Sequence, residues 1–243
     1  MNEDKRAGRA RFALAAVAAG LALAAVPAAA SAASSVSIDG SRLAVIGTAG
    51  WDQFTVTDVN DPGCPGGPPC YEVETYGDAV AATAPCVVTD PGPYSGAVQC
   101  PAAGVESIRA IGREGRDTML VSDFVFGLTV PAVLDGGGDE DALTGSDGAD
   151  RLIGGDGDDD LNGRRANDVL LGGVGKDRLD GARGSDRLVG GFGPDRLIGG
   201  TGADRLFGLA GRDILDGQQG RDLCNGGKQR DRARNCERRR RIP

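Results

Sequence analysis

Between residues 136 and 234 the large apolar residues recur every ninth position, as Leu143, Leu152, Leu161, Leu170, Leu179, Leu188, Leu197, Leu206 and Leu215, continued by Cys224 and Ala233. Each stands two residues after an aspartate and seven after a glycine, so the stretch divides into eleven nonapeptides, each opening on Gly with Asp sixth. Such a period is the mark of a repeat architecture in which every unit is too small to bury its own apolar face. A three-residue strand directs only its middle side chain inward, because side chains alternate between faces. The pattern therefore predicts six residues of turn followed by three of strand, stacked into an all-β solenoid. Upstream, Val, Ile and Thr alternate with polar residues, and Val36–Ile38, Leu43–Ile46, Phe54–Val59, Tyr71–Thr75 and Leu128–Val133 read as short strands with no helical periodicity.

The clearest unit is Gly154-Gly155-Asp156-Gly157-Asp158-Asp159-Asp160-Leu161-Asn162, with close relatives from Gly145, Gly172, Gly181, Gly190, Gly199, Gly208 and Gly217. It resembles the RTX or hemolysin-type calcium-binding repeat family, whose pattern is G-G-x-G-x-D-x-U-x with U a large apolar residue. The resemblance covers about 99 of the 243 residues. It implies a parallel β-roll in which a turn stacks on the turn 18 residues away, with Ca²⁺ held between the two. The residue types suit that chemistry. Glycine lets the backbone reach positive φ and aim its carbonyls, and the aspartate adds the hard oxygen that Ca²⁺ prefers.

On this reading one edge of the roll stacks Asp141, Asp159, Asp177, Asp195, Asp213 and Asp231, and the other stacks Asp150, Asp168, Asp186, Asp204 and Asp222. The accompanying glycines are Gly154, Gly155, Gly157, Gly172, Gly173, Gly175, Gly190, Gly191 and Gly193. The first edge keeps Gly-Gly in five of six turns. The second keeps it only at Gly199-Gly200, reading Gly145-Ser146, Gly163-Arg164, Gly181-Ala182 and Gly217-Gln218 elsewhere. The first edge is expected to bind more tightly, because a Cβ strains positive φ. Arginine fills the seventh position in six units, at Arg151, Arg178, Arg187, Arg196, Arg205 and Arg232. These are expected to neutralise the carboxylates in part, or to tie the roll together as salt-bridge ladders. At the ninth position Ile153, Leu171, Val189 and Phe207 alternate with more polar units, which predicts an apolar stripe on one outer face, serving a partner or packed beneath a loop.

Gly112-Arg113-Glu114-Gly115-Arg116-Asp117-Thr118-Met119-Leu120 also fits the repeat, yet precedes Gly136 by 24 residues. Two units plus a six-residue insertion, around Ser122 to Gly127, would reconcile the spacing. The β-rich region 33–134 would then be a degenerate, capping start of the solenoid, since terminal repeats are atypical. The repeats occupy 135–234, and a basic tail, 235–243, follows.

Lys5, Arg6, Arg9 and Arg11, an apolar run from Phe12 to Val26 and Ala30-Ser31-Ala32 together read as a secretory signal peptide, residues 1–32, with cleavage after Ala32. No later segment is apolar enough to span a bilayer. Cleavage takes the formal charge from −8 to −10, which favours cations and disfavours nucleic acid as partners. Six cysteines in an exported chain imply three disulfides, paired by proximity as Cys64–Cys70, Cys86–Cys100 and Cys224–Cys236, among 15 possible connectivities.

The sequence thus points to a secreted, non-enzymatic calcium-binding repeat protein. The alternative is an exported enzyme, toxin or adhesin whose active part is 33–134, with the repeats as a calcium-triggered folding module. The chain has no histidine, hence no H-E-x-x-H and no histidine-based triad, and it lacks G-x-S-x-G and a P-loop. Glu72 and Glu74 are at strand spacing and read as a solvated face. The tail Arg238–Arg241 reads as a disordered, solvated segment, or as one that could meet an anionic cell-surface or extracellular polymer.

Overall fold

The computed structural model describes residues 34–39, 41–48, 50, 52–59, 70–76, 80–82, 86–91, 95–103, 105–122 and 129–240. The expected leader 1–32, the insertion at 123–127, Cys64 and Arg241 lie outside the described residues. Ten strands precede Leu143, the first leucine of the nine-residue row: β1 (Ser34–Asp39), β2 (Arg42–Ile46), β3 (Gln53–Val59), β4 (Cys70–Tyr76), β5 (Val80–Ala82), β6 (Val87–Pro91), β7 (Ser95–Pro101), β8 (Ser107–Arg113), β9 (Thr118–Ser122) and β10 (Ala132–Gly138). Twelve follow: β11 (Ala142–Thr144), β12 (Arg151–Asp156), β13 (Asp160–Asn162), β14 (Val169–Val174), β15 (Arg178–Asp180), β16 (Arg187–Phe192), β17 (Arg196–Gly202), β18 (Arg205–Ala210), β19 (Ile214–Gly220), β20 (Leu223–Lys228), β21 (Arg232–Arg234) and β22 (Arg238–Arg240).

They form two 11-stranded sheets, ordered β22-β20-β18-β16-β14-β12-β10-β8-β2-β1-β5 and β21-β19-β17-β15-β13-β11-β9-β3-β4-β7-β6. From β10 onward the chain alternates between the sheets, and each strand as far as β19 pairs in parallel with the strand 18 residues on, as Leu152 with Leu170 and Leu161 with Leu179, while β20 pairs with β22 at an offset of 15. This is a parallel β-solenoid. The eighth-position leucines Leu143 to Leu215 are all 0% exposed, so both sheets send one row into a single shared core. That row continues as Cys224, buried, and Ala233, half-buried.

The two sheets differ in strand length over the early repeats and not later, where β17 and β19 of the second sheet have seven residues each. In the second, β11, β13 and β15 have three residues each, as the nine-residue pattern predicts. In the first, β12, β14 and β16 have six, because the Gly-Gly-x of the following turn also pairs between coils, as Gly155 does with Gly173. Paired turn backbone leaves fewer amide groups in need of another partner.

The first nine strands continue both sheets. Leu134 pairs with Ala110 and Leu143 with Met119, a 24-residue coil, and beyond these β2 and β3 add a further parallel layer. Pairing then turns antiparallel at β1–β2 and β3–β4. Cys86–Cys100 joins the start of β6 to β7, and Cys224–Cys236 fastens the far end. Cys70 is also disulfide-bonded.

Two expectations need correction. The strand placed at Leu128–Val133 begins at Ala132 and runs to Gly138; Thr129–Pro131 lead into it without strand pairing, and Leu128 lies outside the described residues. The tail is not merely solvated, because Arg238–Arg240 pair with Leu223–Asn225 as the last strand of the first sheet.

Candidate metal centre

Every turn folds its aspartate back over its own first glycine. A Cβ on Gly172 would lie 2.7 Å from the Gly190 carbonyl oxygen and against Asp177 Oδ2, and one on Gly154 would lie 2.8 Å from the Gly172 oxygen and against Asp159 Oδ2. The first glycine is needed for room. The second and fourth are needed for φ, as at Gly155 (+121°), Gly173 (+130°), Gly191 (+129°), Gly157 (+144°), Gly175 (+143°) and Gly193 (+118°). Most turns, as at Gly136, Gly154, Gly172, Gly181, Gly199 and Gly208, thus present a carboxylate oxygen and the next turn's carbonyl oxygen to one point.

The aspartates form two hydrogen-bonded rows. On the first edge each backbone N–H donates to Oδ1 of the aspartate one coil on: Asp141 to Asp159 (2.9 Å), Asp159 to Asp177 (3.1 Å), and then Asp177 to Asp195, Asp195 to Asp213 and Asp213 to Asp231 (3.0 Å each). On the second edge Asp150 donates to Asp168, Asp168 to Asp186 and Asp186 to Asp204 (2.8 Å each), and Asp204 to Asp222 (2.9 Å). All the aspartates named from the sequence are buried in these rows.

Oδ2 is another matter. In Asp117, Asp141, Asp159, Asp168, Asp177, Asp186, Asp195, Asp204, Asp213, Asp222 and Asp231 it is buried without a hydrogen-bond partner. Burial is the main reason their carboxyls rise: Asp117 and Asp168 to about 8, Asp141, Asp177, Asp186 and Asp195 to about 7, and Asp159, Asp204 and Asp213 to about 6. The donated N–H of the preceding coil pulls each the other way, and neighbouring aspartates add repulsion in Asp177 and Asp195. A buried anion with half its oxygens unpaired needs a proton or a cation.

The donor set fits Ca²⁺. Among the described residues no three acidic or cysteine side chains surround one point, so a cation here would draw mainly on backbone carbonyls supplemented by the aspartates. Ca²⁺ accepts such mixed oxygen sets in flexible geometry, whereas Zn²⁺ prefers nitrogen and sulfur.

The arginines do not do what the sequence led us to expect. Arg151, Arg178, Arg187, Arg196, Arg205 and Arg232 are exposed, and none pairs with a sixth-position aspartate. Alternation explains this: positions six and eight point inward, so position seven points out. Nor do they form a ladder. Among the described residues only Arg178 of the six meets carboxylates, Asp160 and Asp180 at 3.6 Å each, while Arg187 stacks 4.7 Å from the Phe207 ring centre. Ile153, Leu171, Val189 and Phe207 do form one half-buried outward row of the first sheet, beside exposed Val174, Phe192 and Leu209.

Substituted second positions behave in two ways. Arg164 (+72°), Ala182 (+67°), Leu209 (+77°) and Gln218 (+64°) hold positive φ, as feared for side chains with a Cβ. Ser146 does not. Its N–H donates to Asp150 Oδ2 (2.6 Å), its hydroxyl also reaches that carboxylate, and Gly148 N–H donates to its Oγ (2.9 Å).

Sequence reading missed a turn built the same way. Gly47-Thr48-Ala49-Gly50-Trp51-Asp52 has Gly first and fourth and Asp sixth, with Phe54 at the eighth position. Thr48 N–H donates to Asp52 Oδ2 (2.7 Å), Gly50 N–H to Thr48 Oγ1 (3.3 Å), and Asp52 N–H to Asp117 Oδ1 (2.8 Å). Asp117 N–H donates to Asp141 Oδ1 (2.7 Å), so the first row runs without a break from Asp52 to Asp231.

Residues 135–170, 162–197 and 198–233 match the family model described as RTX calcium-binding nonapeptide repeat (4 copies). No curated protein and no solved structure matches the chain.

Proposed function

Taking as premise that residues 135–233 are RTX calcium-binding nonapeptide repeats in a parallel β-roll, we propose that the protein is an exported, non-enzymatic calcium-binding protein whose ions stabilise the roll between stacked turns. One observation carries this: a buried carboxylate oxygen without a partner, facing the carbonyl of the next turn's first glycine, recurs along both edges. Asp141, Asp159, Asp177, Asp195, Asp213 and Asp231 would serve one edge, and Asp168, Asp186, Asp204 and Asp222 the other. Asp117, in a turn outside the matched repeats, would join the first.

The bound ion would supply the positive charge that these carboxylates lack. The chain's part is to position them: glycine gives the room, and the Oδ1 hydrogen bond fixes each carboxylate so that Oδ2 faces the gap. The leader-like N-terminus and paired cysteines support export, and the absence of histidine-based or P-loop chemistry supports a binding role.

Far-ultraviolet circular dichroism and calorimetry of residues 33–243 during calcium titration test the proposal, with magnesium as control. The expected result is saturable heat with a cooperative gain of β signal for calcium alone. Full β signal in chelator with no heat of binding would overturn the metal role, and turnover of an ester, peptide or glycan panel would overturn the non-enzymatic reading.

A further inference from the structure

The fifth and seventh positions of the first-edge turns flank the aspartate row on its outer side, and their charge reverses along the roll. Arg116 of the Gly112 turn pairs with Glu140; from there the turns carry Asp158 and Asp160, then Lys176 and Arg178, then Arg196, then Arg212, then Arg230 and Arg232. At the reversal opposite charges meet, with Arg178 3.6 Å from Asp160. Beyond it like charges stack. Arg212 and Arg230 share the fifth position of consecutive first-edge turns, and Arg196, Ile214 and Arg232 are in register across β17, β19 and β21.

Arg178 and Arg196 are directly opposite across β15 and β17, where like charges destabilise a sheet, and among the described residues no carboxylate forms an ion pair with Arg212, Arg230 or Arg232. They do not serve the buried row either, since among the described residues no arginine forms an ion pair with Asp195, Asp213 or Asp231. Arg212, Arg230 and Arg232 instead line a surface hollow of about 460 Å³, completed by Pro194, Asp213 and the exposed side of Ile214. An edge strand's protective charge would not account for this, because Arg212 and Arg230 lie on turns.

We propose that this hollow binds a phosphate group, either free or repeated along a polymer that follows the cationic rows toward Arg196. The three arginines that line the hollow carry more N–H donors than a two-oxygen carboxylate can accept, whereas a phosphate presents three strong acceptor oxygens. Ile214 and Pro194 add apolar lining beside them. Arg212 and Arg230 follow one another on consecutive stacked turns, and Arg196 and Arg232 stand two strands apart with Ile214 between them, so the cations extend along the roll beyond the reach of a single ion.

The test uses the full chain loaded with calcium and freed of excess ion by gel filtration, so that free calcium does not sequester the phosphate. Inorganic phosphate and long-chain polyphosphate are titrated calorimetrically at low salt, with polyglutamate as a carboxylate polymer. Arg212→Gln/Arg230→Gln is compared with Arg151→Gln/Arg205→Gln, which removes the same charge elsewhere; thermal unfolding checks that both fold. Polyphosphate binding weakened roughly tenfold or more in the first variant alone is expected, with a shallower salt dependence. Binding of inorganic phosphate as well would identify a site for single phosphates, and binding of the polymer alone would identify a site for repeated ones. Equal weakening in both variants, equally tight polyglutamate, or no binding of either phosphate would overturn the proposal. Calcium stoichiometry, measured on the same samples, reports separately on the metal sites.

Discussion

Replacing Asp177 with asparagine should change sign with calcium. Asp177 is 1% exposed; its Oδ1 accepts the Asp159 N–H at 3.1 Å, its own N–H donates to Asp195, and its Oδ2 is unpartnered. Asparagine keeps the Oδ1 acceptor and removes the charge. Raising the carboxyl from 3.8 to about 7 costs the anion about 4 kcal/mol at most, and relaxation with partial hydration leaves on the order of 2 kcal/mol. In chelator at pH 8 the Asp177→Asn protein should therefore be the more stable one, by roughly 4–8 °C in Tm for a chain of this size. With calcium the order should reverse. The variant loses a ligand oxygen from the gaps on either side, and a site filled at a hundred times its Kd contributes about 2.7 kcal/mol. Differential scanning calorimetry at pH 8, with chelator and then with calcium, gives both signs. Destabilisation in chelator would show that the anion is held by interactions the structure lacks, and equal stabilisation in both conditions would remove Asp177 from any metal site.

Other outcomes follow from the same geometry. The raised carboxyls favour the metal-free roll below their unfolded values near 4, and that stability is lost as pH rises through about 6 to 8; β signal in chelator should grow on acidification from pH 8 to 5, while the calcium-loaded protein stays nearly flat. Ala182 sits at φ +67°, so Ala182→Gly should raise stability by about 1 kcal/mol, the reverse of the usual effect, as chemical denaturation would show. Gly172→Ala would force a Cβ to 2.7 Å from the Gly190 oxygen and against Asp177 Oδ2, which should destabilise by about 1–3 kcal/mol and lower calcium stoichiometry in calorimetry.

What the sequence revealed, and what it hid, follows from how each feature is encoded. The leucine row and both aspartate rows were legible because an unbroken nine-residue period places them in space. The turn at Gly47 follows the same rule, yet Asp52 and Asp117 are 65 residues apart in the chain while joined by a 2.8 Å hydrogen bond. An excursion through β4 to β7 separates them, and a single copy without a period carries no signal. The arginines were misjudged for another reason: adjacency to an aspartate in sequence was taken as adjacency in space, although strand alternation sends position seven outward. Ser146 shows that a missing glycine has two outcomes, because a small hydroxyl can satisfy the carboxylate where arginine or glutamine only strains the backbone.

That difference bears on where the fold depends on a cation. The first turn of each row, at Asp52 and at Asp150, has a hydroxyl residue second and its carboxylate hydrogen-bonded within the turn. Every later aspartate of both rows has a second oxygen without a partner. The N-terminal starts are thus complete with protein groups alone, and each added coil brings another buried carboxylate to be neutralised. Only a proton or a cation does that without changing the sequence, and at neutral pH a cation has the advantage because it can meet several oxygens at once. The demand for a neutralising charge is therefore built into the repeated interior of the roll, while its starting turns satisfy their carboxylates with groups of their own.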